Sequence, residues 1–550
     1  MIEPAPLSRT SRAYRWLDTV IFDLGRQMRW SYLPPLMVYL AAGISGLTSI
    51  VGTFFVKEQF GFSAAALAAL TFWVGIPWSL KMPLGQVVDL IWRWKSALVY
   101  LGAALLAVSI AIMYALVVQP ERMAAVMPIE TWYVVSTLLA PVGYVLQDVV
   151  ADAMTVEAVP PFDEQGRRHS EATLKLMHTT MQTLGRIAII SGLVTVSLLN
   201  VVMFSGVADM SAAEKTQAYA DIYRLALAIP VISVLGVLLG AALRRRRHAA
   251  LVRQGISRDR ATEMLEARGE EASPNWWIIG GGLLFVAFTL ITGLADVPFN
   301  QEIIFAGSMI IVLFLVRQLV LELEPGLRGA LIGTAIIIFV FRAVPLPGPA
   351  VDWWQIDVLG FDQQFISVLT LITSGLALVG MIVLRPLMAR RSIADIVVIL
   401  TIAAGVLSLP SIGLYYGLHE WTARHTGGVV DARFIAILNT ALESPLAQIS
   451  MVPMLAWIAK NAPAHLKATF FAVMASFTNL ALAAASLGTK YLNQIFVVAR
   501  EVRDRASGAV TVPADYSQLG WLLITVVAIT VLAPLVTIVI VQTSRLRTQQ

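Results

Sequence analysis

The sequence contains no cysteine and few charged residues. Without cysteine among its 550 residues, the chain has no disulfide framework, no Cys-ligated zinc or iron–sulfur site and no thiol nucleophile. Only 14% of the residues are charged, whereas a soluble domain carries roughly 25%. The six histidines are scattered without metal-ligand spacing, and neither a Gly-x-Ser-x-Gly element nor a nucleotide-binding loop occurs. We therefore expect no metal, no cofactor and no enzymatic activity.

Long apolar runs dominate the rest of the sequence. Hydrophobic residues make up 57% of the chain, and the mean hydropathy is +0.74. Since a membrane-spanning helix needs about 20 mostly apolar residues, the sequence predicts an all-α, polytopic membrane protein with about 14 transmembrane helices. The predicted spans are 32–56, 65–84, 97–119, 131–154, 173–202, 221–243, 276–295, 302–321, 329–345, 364–385, 393–417, 433–458, 467–497 and 519–542.

The charges of the predicted loops indicate how the chain lies in the membrane. Basic residues concentrate in alternate loops, as the positive-inside rule predicts for the cytoplasmic side. The loop 498–518 is an exception, with three arginines on the predicted outer side. We expect a cell inner (plasma) membrane protein with both termini cytoplasmic, and we attribute the net charge of +5 to topology rather than to nucleic-acid binding. The basic residues of the predicted inside loops are Arg93, Lys95, Arg167, Arg168, Arg244–Arg247, Arg385, Arg390, Arg391, Lys460, Arg545 and Arg547.

The N-terminal segment alternates arginines with apolar residues, among them Arg12, Arg15, Trp16 and Leu17. This pattern favours an amphipathic helix on the cytoplasmic face, held by apolar burial and by anionic lipid. A solvated tail is the alternative interpretation.

Two similar segments indicate an internal repeat. Lys57–Ser63 follows the first predicted span and Gln355–Asp362 follows the ninth, and each predicted outer turn carries Gly-Phe before the next helix. Two six-helix halves in parallel orientation, with a hairpin inserted between them, resemble the major facilitator arrangement. The predicted units are an amphipathic N-terminus (1–31), an N-terminal half (32–243), a charged cytoplasmic linker (244–275), the inserted two-helix hairpin (276–327), a C-terminal half (328–542) and a cytoplasmic tail (543–550).

The loop between the second and third spans resembles the conformational loop motif of the major facilitator superfamily. It contains Gly85, Asp89, Arg93 and Lys95, which follow the motif's order of glycine, aspartate and a basic pair. Trp92 occupies the region where a second glycine is usual. The resemblance implies that this loop stabilises one state of a transport cycle.

Two further segments narrow the resemblance. Span four contains Asp-Val-Val-x-Asp-x-x-x-Val-Glu, from Asp148 to Glu157. The second segment is Asn461–Ala472, which leads into the thirteenth span. Together with the loop motif, these segments resemble the folate–biopterin transporter family of the major facilitator superfamily. That family often has glutamate where Lys467 stands, and the inserted hairpin lies outside its usual plan. The muropeptide permeases share a Gln-Asp-x-x-x-Asp element and are the nearest competing relatives.

Asp148 and Asp152 are candidates for a functional site because they lie four residues apart, on one helical face. A charge within hydrocarbon costs about 2.5–3.5 kcal/mol on insertion scales, so both carboxylates must face the bundle interior or a wet cavity. We expect Arg186 on the next span to pair with one of them. On one interpretation the pair couples transport to protons or substrate, and on the other it is a static charge cluster that locks helices together.

The second half places ionisable groups on its first, fourth and fifth helices, which line the cavity in the superfamily plan. These groups are Arg342, Glu443 and Lys490. Glu443 precedes Ser444 and Pro445, and a proline inside a helix releases a backbone carbonyl. For Lys490 we expect snorkelling to the outer interface rather than substrate binding.

These residues suit two different roles. Glu443 and Asp148 suit proton coupling, whereas Arg342 and Arg186 suit a carboxylate-bearing substrate because guanidinium binds carboxylate in a bidentate fork. Interhelical hydrogen bonding explains the remaining polar candidates as well as ligand contact does. These candidates are Gln182 and Asn439.

The sequence therefore predicts a monomeric secondary transporter, embedded in membrane lipid, that moves a small solute by alternating access with proton coupling. The family resemblance implies an anionic, folate- or pterin-like substrate. A muropeptide-permease-like transporter, and a transporter-like fold used for cofactor or pigment delivery or for membrane assembly, are the alternatives.

Overall fold

The structure is a computed structural model that describes residues 26, 28–59, 62–79, 81–159, 162, 167, 169–265, 276–295, 297–321, 325–383, 391–446, 467–503 and 510–547. Within these ranges the chain is almost entirely helical, apart from a short antiparallel pair of strands, β1 (Val502–Arg503) and β2 (Val510–Val512). The helices of the first half are α1 (Leu33–Ile44), α2 (Ser49–Gln59), α3 (Ala64–Ser79), α4 (Lys81–Leu90), α5 (Ser96–Val118), α6 (Pro120–Ala124), α7 (Ile129–Ala158), α8 (Glu171–Met203), α9 (Ala212–Ala226), α10 (Ala228–Arg253) and α11 (Arg258–Leu265). Those that follow are α12 (Trp276–Leu294), α13 (Asn300–Leu321), α14 (Pro325–Arg342), α15 (Pro349–Asp357), α16 (Gln363–Val383), α17 (Ile393–Tyr415), α18 (Leu418–His425), α19 (Ala432–Glu443), α20 (Lys467–Ile495) and α21 (Leu519–Thr543).

The all-α, polytopic prediction is confirmed. Among the described residues, 11 helical segments are long and apolar enough to cross a membrane. The three other predicted spans coincide with α14, α19 and α20, although α19 ends at Glu443 and residues 447–466 lie outside the described part. The predicted N-terminal amphipathic helix falls mostly on residues that are not described.

The ninth predicted span is followed by a second helix. α14 stops at Arg342, close to the predicted end near residue 345, and α15 resumes at Pro349. Prolines at 345, 347 and 349 explain the break, since proline lacks a backbone donor and clashes with the preceding turn. The repeated segments are consequently helical at their starts, and the turn falls at Gly360, whose φ of 65° favours glycine.

The predicted linker is also partly helical. The sixth span does not end at residue 243, because α10 continues to Arg253, and arginine and alanine are both good helix formers. A turn at Gly255 (φ 89°) then allows α11 to fold back. Its Ala261 and Met264 bury apolar surface against Leu251 of α10.

Each half of the chain is held together by helix pairs. In the first half α5 packs on α7, and α1 packs on α7, α8 and α10. In the second half α21 packs on α14 and α17, while α19 packs on α16 and α17. The division into two six-helix halves stays a prediction, but this grouping of contacts agrees with it.

Glycines allow the closest of these approaches. A Cβ added to Gly102 on α5 would lie 2.5 Å from the carbonyl oxygen of Gly143 on α7. A Cβ added to Gly43 on α1 would lie 2.1 Å from the carbonyl oxygen of Ile189 on α8. Small residues at these crossings let the backbones meet, as is typical of membrane helix pairs.

Two helix pairs make the most extensive contacts between the predicted halves. α3 packs on α20, and α8 packs on α16. At one end of the bundle α2 and α15 also meet through the Lys57–Asp357 ion pair. The loop charges predict that this end faces the outside of the membrane, and we call it the outer end below.

Candidate functional site

A lysine shared by two aspartates forms the centre of the candidate site. The Nζ atom of Lys81 lies 2.6 Å from Asp148 Oδ2 and 2.8 Å from Asp152 Oδ2. Tyr39 donates its hydroxyl proton to Asp152 Oδ1 at 2.6 Å. The side chains of Lys81 and Asp148 are 28% and 15% exposed, whereas that of Asp152 is 47% exposed. We call these four residues the Lys81 cluster.

Local structure explains why these side chains meet. The second predicted span contains the described helices α3 and α4, and Lys81 lies at the first described position of α4. Pro77 lies inside α3, and proline disrupts the helical hydrogen-bond ladder. Lys81 lies on α4, which packs on α7, where the two aspartates share one face as their spacing predicts.

The expected pairing of Arg186 with an aspartate is wrong, because Lys81 takes that place. Arg186 on α8 lies within electrostatic range of Asp148 and Tyr39, but it forms no direct ion pair with any residue the structure describes. The position of Lys81 inside a predicted span was a usable signal, because an ammonium within the membrane needs a counter-charge. Lys81 was nevertheless not among the predicted site residues.

The cluster borders a small cavity. Val38, Tyr39, Ala42, Tyr144, Gln147 and Asp148 line this space between α1 and α7. A carboxylate and a phenol supply partners for a water molecule, which needs two to four polar contacts.

The loop motif contributes a second ion pair at the C-terminal end of α7, five residues beyond Asp152. Lys95, whose residue is only 5% exposed, lies 2.5 Å from Glu157 Oε1 and sits over the ring of Trp92, 3.8 Å from its centroid. The pair joins the loop motif to the last residue of the Asp-Val-Val pattern. Gly85 lies on α4 with open space around it, while the side chains of Asp89 and Arg93 are not described.

The candidates of the second half stand apart from the Lys81 cluster. Arg342 ends α14, and its buried Nε atom lacks a hydrogen-bond partner in the described part. The Oδ1 atom of Asn439 on α19 is also buried without such a partner there. Glu443 ends α19, where a 3-10 turn (Ser444–Leu446) follows at the proline, as the sequence predicts. No contact within the described ranges joins Arg342 or Glu443 to the cluster, and the side chain of Gln182 is not described.

At the outer end, a group of polar contacts connects the two predicted halves, and we call this group the outer gate. Lys57 of α2 pairs with Asp357 of α15, Arg500 donates to the Lys57 carbonyl oxygen, and Tyr516 donates to Asp357. Burial, and then the hydrogen bond to Asp357, raise the pKa of Tyr516, so its hydroxyl remains a donor. Arg500 is only 5% exposed, which explains why this outer loop breaks the positive-inside pattern.

Two further hydrogen bonds join the halves at this end. Gln363 Nε2 of α16 donates to the hydroxyl of Tyr219 on α9 at 2.7 Å. The backbone N–H of Gly206 donates to Gln364 Oε1 at 3.3 Å. With the outer gate, they link the two predicted halves at the outer end.

The expectation that Lys490 snorkels to the outer interface is wrong. Its Nζ atom lies 2.6 Å from Glu302 Oε1, at the start of α13 in the inserted hairpin. Glu302 was the first residue of a predicted span, so an ionic partner within reach of the membrane was available in the sequence. The pairing itself depends on how the hairpin docks.

Metal binding has no visible basis in the described part of the chain. There, no group of three or more histidine, aspartate or glutamate side chains is arranged to hold an ion. The absence of a metal and of a cofactor stays a prediction.

Comparison with known proteins finds similarity to transporters. Residues 276–549 match the BT1 family. The folate-biopterin transporter of Synechocystis sp. (strain ATCC 27184 / PCC 6803 / Kazusa) is 38% identical over 66 residues, which span 12% of this chain and only 13% of that protein.

Solved structures show the same fold at low identity. A POT family transporter in complex with a thioalcohol-conjugated peptide superposes with a TM-score of 0.54 at 11% identity, covering 94% of this chain and 96% of its own. A variant of the nucleoside transporter NupG has a TM-score of 0.53 at 11% identity, covering 93% and 99%. The fold is therefore that of major facilitator transporters, and these relatives are transporters rather than enzymes.

Proposed function

Because residues 276–549 form a BT1 family domain within a major facilitator fold, we propose that this chain is a proton-coupled secondary transporter of a small anionic solute. It works as a monomer in the inner membrane, with both termini cytoplasmic. Its two halves alternate between opening to one side and opening to the other. Folate- and pterin-like compounds are the first candidates for the solute.

The observation that supports coupling is the sharing of Lys81 between two carboxylates. The ammonium and the two carboxylates carry a net charge of −1, and one proton makes the group neutral. Protonation of Asp148 weakens its hold on Lys81 and leaves the ammonium with Asp152 alone. Since Lys81 lies on α4 and Asp148 lies on α7, this change alters the attraction between two helices.

The Lys81 cluster is connected to the rest of the bundle through α4. This helix packs on α7, on α20 of the second half and on α12 of the inserted hairpin. A change in the charge that binds α4 to α7 therefore reaches helices of both halves. The outer gate of Lys57, Asp357 and Arg500 has to separate in the opposite state.

Unpaired guanidinium groups support an anionic solute. Arg186 and Arg342 form no ion pair with the described residues, and the Nε atom of Arg342 is buried without a partner. A guanidinium in a low-dielectric site is stabilised by an incoming carboxylate, which it binds with two parallel hydrogen bonds. Glu443, also without an ion-pair partner in the described part, supplies an acceptor for N–H groups of the solute or a second proton site.

Uptake into proteoliposomes under an imposed pH gradient tests the proposal. Labelled folate, pterin and muropeptide are offered to the wild type, to Asp148→Asn and to Glu443→Gln, with the exposed Asp221→Asn as a matched control. We expect gradient-driven uptake of at least one compound by the wild type and the control, and loss of the gradient dependence in Asp148→Asn. No uptake of any anionic compound, or gradient-driven uptake by Asp148→Asn equal to that of the wild type, contradicts the proposal.

A further inference from the structure

The inserted hairpin docks against helices of both predicted halves. α12 packs on α4, where a Cβ added to Gly282 would lie 2.2 Å from Pro83. α13 packs on α20. A buried apolar cluster joins α3, α13 and α20, and its members include Phe72, Ile304 and Leu487.

Two polar residues at the start of α13 extend this docking. Gln301, only 5% exposed, donates from Nε2 to the carbonyl oxygen of Ala69 on α3 at 3.1 Å. Its Oε1 atom accepts from Lys490 Nζ of α20, also at 3.1 Å. Gln301 thus bridges α3 and α20, which belong to different halves.

The two sides of this bridge differ in strength. Glu302 Oε1 accepts from Lys490 Nζ and from the hydroxyl of Tyr491, both at 2.6 Å, so α20 holds the hairpin through charge-assisted hydrogen bonds. Apart from the apolar cluster, the polar contact to α3 within the described residues is one neutral hydrogen bond, from Gln301 to Ala69. Charge-assisted hydrogen bonds are roughly twice as strong as neutral ones. The hairpin is therefore attached to α20 and is released more easily from α3.

We propose that the inserted hairpin is a clamp that favours the outer-closed state, fixed to α20 by the Lys490–Glu302 pair and gripping α3 through Gln301. The clamp rests on the alternating-access function proposed above. When the outer ends of α3 and α20 separate, the bond from Gln301 to Ala69 breaks while the ion pair persists. The hairpin thereby sets how often the outer end opens, although it contributes no residue to the Lys81 cluster.

The absence of cysteine from the chain permits a direct test with one introduced thiol. Ile366 of α16 is partly buried against the apolar cluster of the first half at the outer end, so a cysteine there becomes more accessible to a maleimide when the halves part. The labelling rate of the full-length Ile366→Cys protein in detergent measures the fraction with an open outer end. No substrate is needed.

Gln301→Leu is expected to raise this labelling rate about two- to tenfold, the effect of losing one neutral hydrogen bond. Glu302→Gln is expected to raise it as well, since the hairpin then loses its hold on α20. Gln318→Leu makes the same chemical change on the same helix, where the described part shows no hydrogen bond for Gln318, and should leave the rate unchanged. Gln301→Met serves in place of Gln301→Leu if the latter does not fold, as judged by size exclusion and thermal unfolding.

The clamp is refuted if folded Gln301→Leu (or Gln301→Met) and Glu302→Gln proteins both label at the rate of the parent, or if Gln318→Leu raises the rate equally. The outcome is independent of transport. A raised labelling rate in a protein that moves none of the offered solutes overturns the proposed function and leaves the clamp standing. Normal uptake together with unchanged labelling rates overturns the clamp and leaves the proposed function standing.

Discussion

Removing the ammonium of Lys81 tests the charge balance of the candidate site. Lys81→Met leaves Asp148 and Asp152 facing each other without a cation, so the net charge of the three groups changes from −1 to −2. Adding Asp148→Asn to this variant restores −1. The wild type and the double variant thus have the same charge, while the single variant has an uncompensated carboxylate near the membrane interior.

The size of the effect follows from the geometry. Unit charges 2.6 Å and 2.8 Å apart attract by about 6 kcal/mol each at an effective dielectric constant near 20, before desolvation is subtracted. Breaking a buried ion pair by removing one partner costs about 3–5 kcal/mol net. Because the Asp152 side chain is 47% exposed, we expect a cost near the lower end, about 3 kcal/mol. The second substitution should return roughly half of this loss, a coupling within the usual range for contacting residues.

Thermal unfolding in detergent, followed through the fluorescence of the 14 tryptophans, ranks the variants. The expected order of midpoints is wild type, then the double variant, then Lys81→Met. Lys215→Met, at a lysine of α9 with no ion pair in the described part, should unfold close to the wild type. A double variant no more stable than Lys81→Met would refute the reasoning, because the loss would then come from packing rather than charge.

Three further results are expected. Gly102→Leu should prevent the close crossing of α5 and α7, at a cost in folding stability of about 3 kcal/mol. This cost should appear as loss of monodisperse protein on size exclusion, and undisturbed folding would contradict the packing of the two helices. Lys57→Glu should raise maleimide labelling at the outer end several-fold, and adding Asp357→Lys should lower it again; equal labelling in the single and double variants removes the outer gate from the account. Lys95→Met should lower the thermal midpoint by leaving Glu157 unpaired, and Glu157→Gln in the same protein should restore part of it; additive losses argue against the pair.

The sequence predicted the helices well because apolar runs of about 20 residues leave few alternatives in a membrane. It also predicted the shared face of Asp148 and Asp152, which depends only on helical spacing. The break after Arg342 was missed because prolines in a predicted loop do not reveal that a second helix follows. The continuation of α10 to Arg253 was missed because the charge of the linker hid its helix propensity.

Partners across helices were harder to predict than positions along one helix. Arg186 was expected to pair with an aspartate because it lies on the next span, whereas Lys81 reaches the pair from the second span. Arg500 and Lys490 likewise take partners far away in the chain, at the outer gate and in the inserted hairpin. Such pairings depend on how helices are arranged around one another, and one sequence without that arrangement does not determine them.

The most direct test of the central claim compares accumulation with exchange in Asp148→Asn. With a solute that the wild type accumulates, preloaded proteoliposomes report exchange without a gradient, and empty ones report accumulation driven by a pH gradient. The account predicts that Asp148→Asn retains exchange within about threefold of the wild type and loses gradient-driven accumulation. Accumulation by Asp148→Asn at the wild-type level, with exchange also intact, would contradict the assignment of proton coupling to the Lys81 cluster.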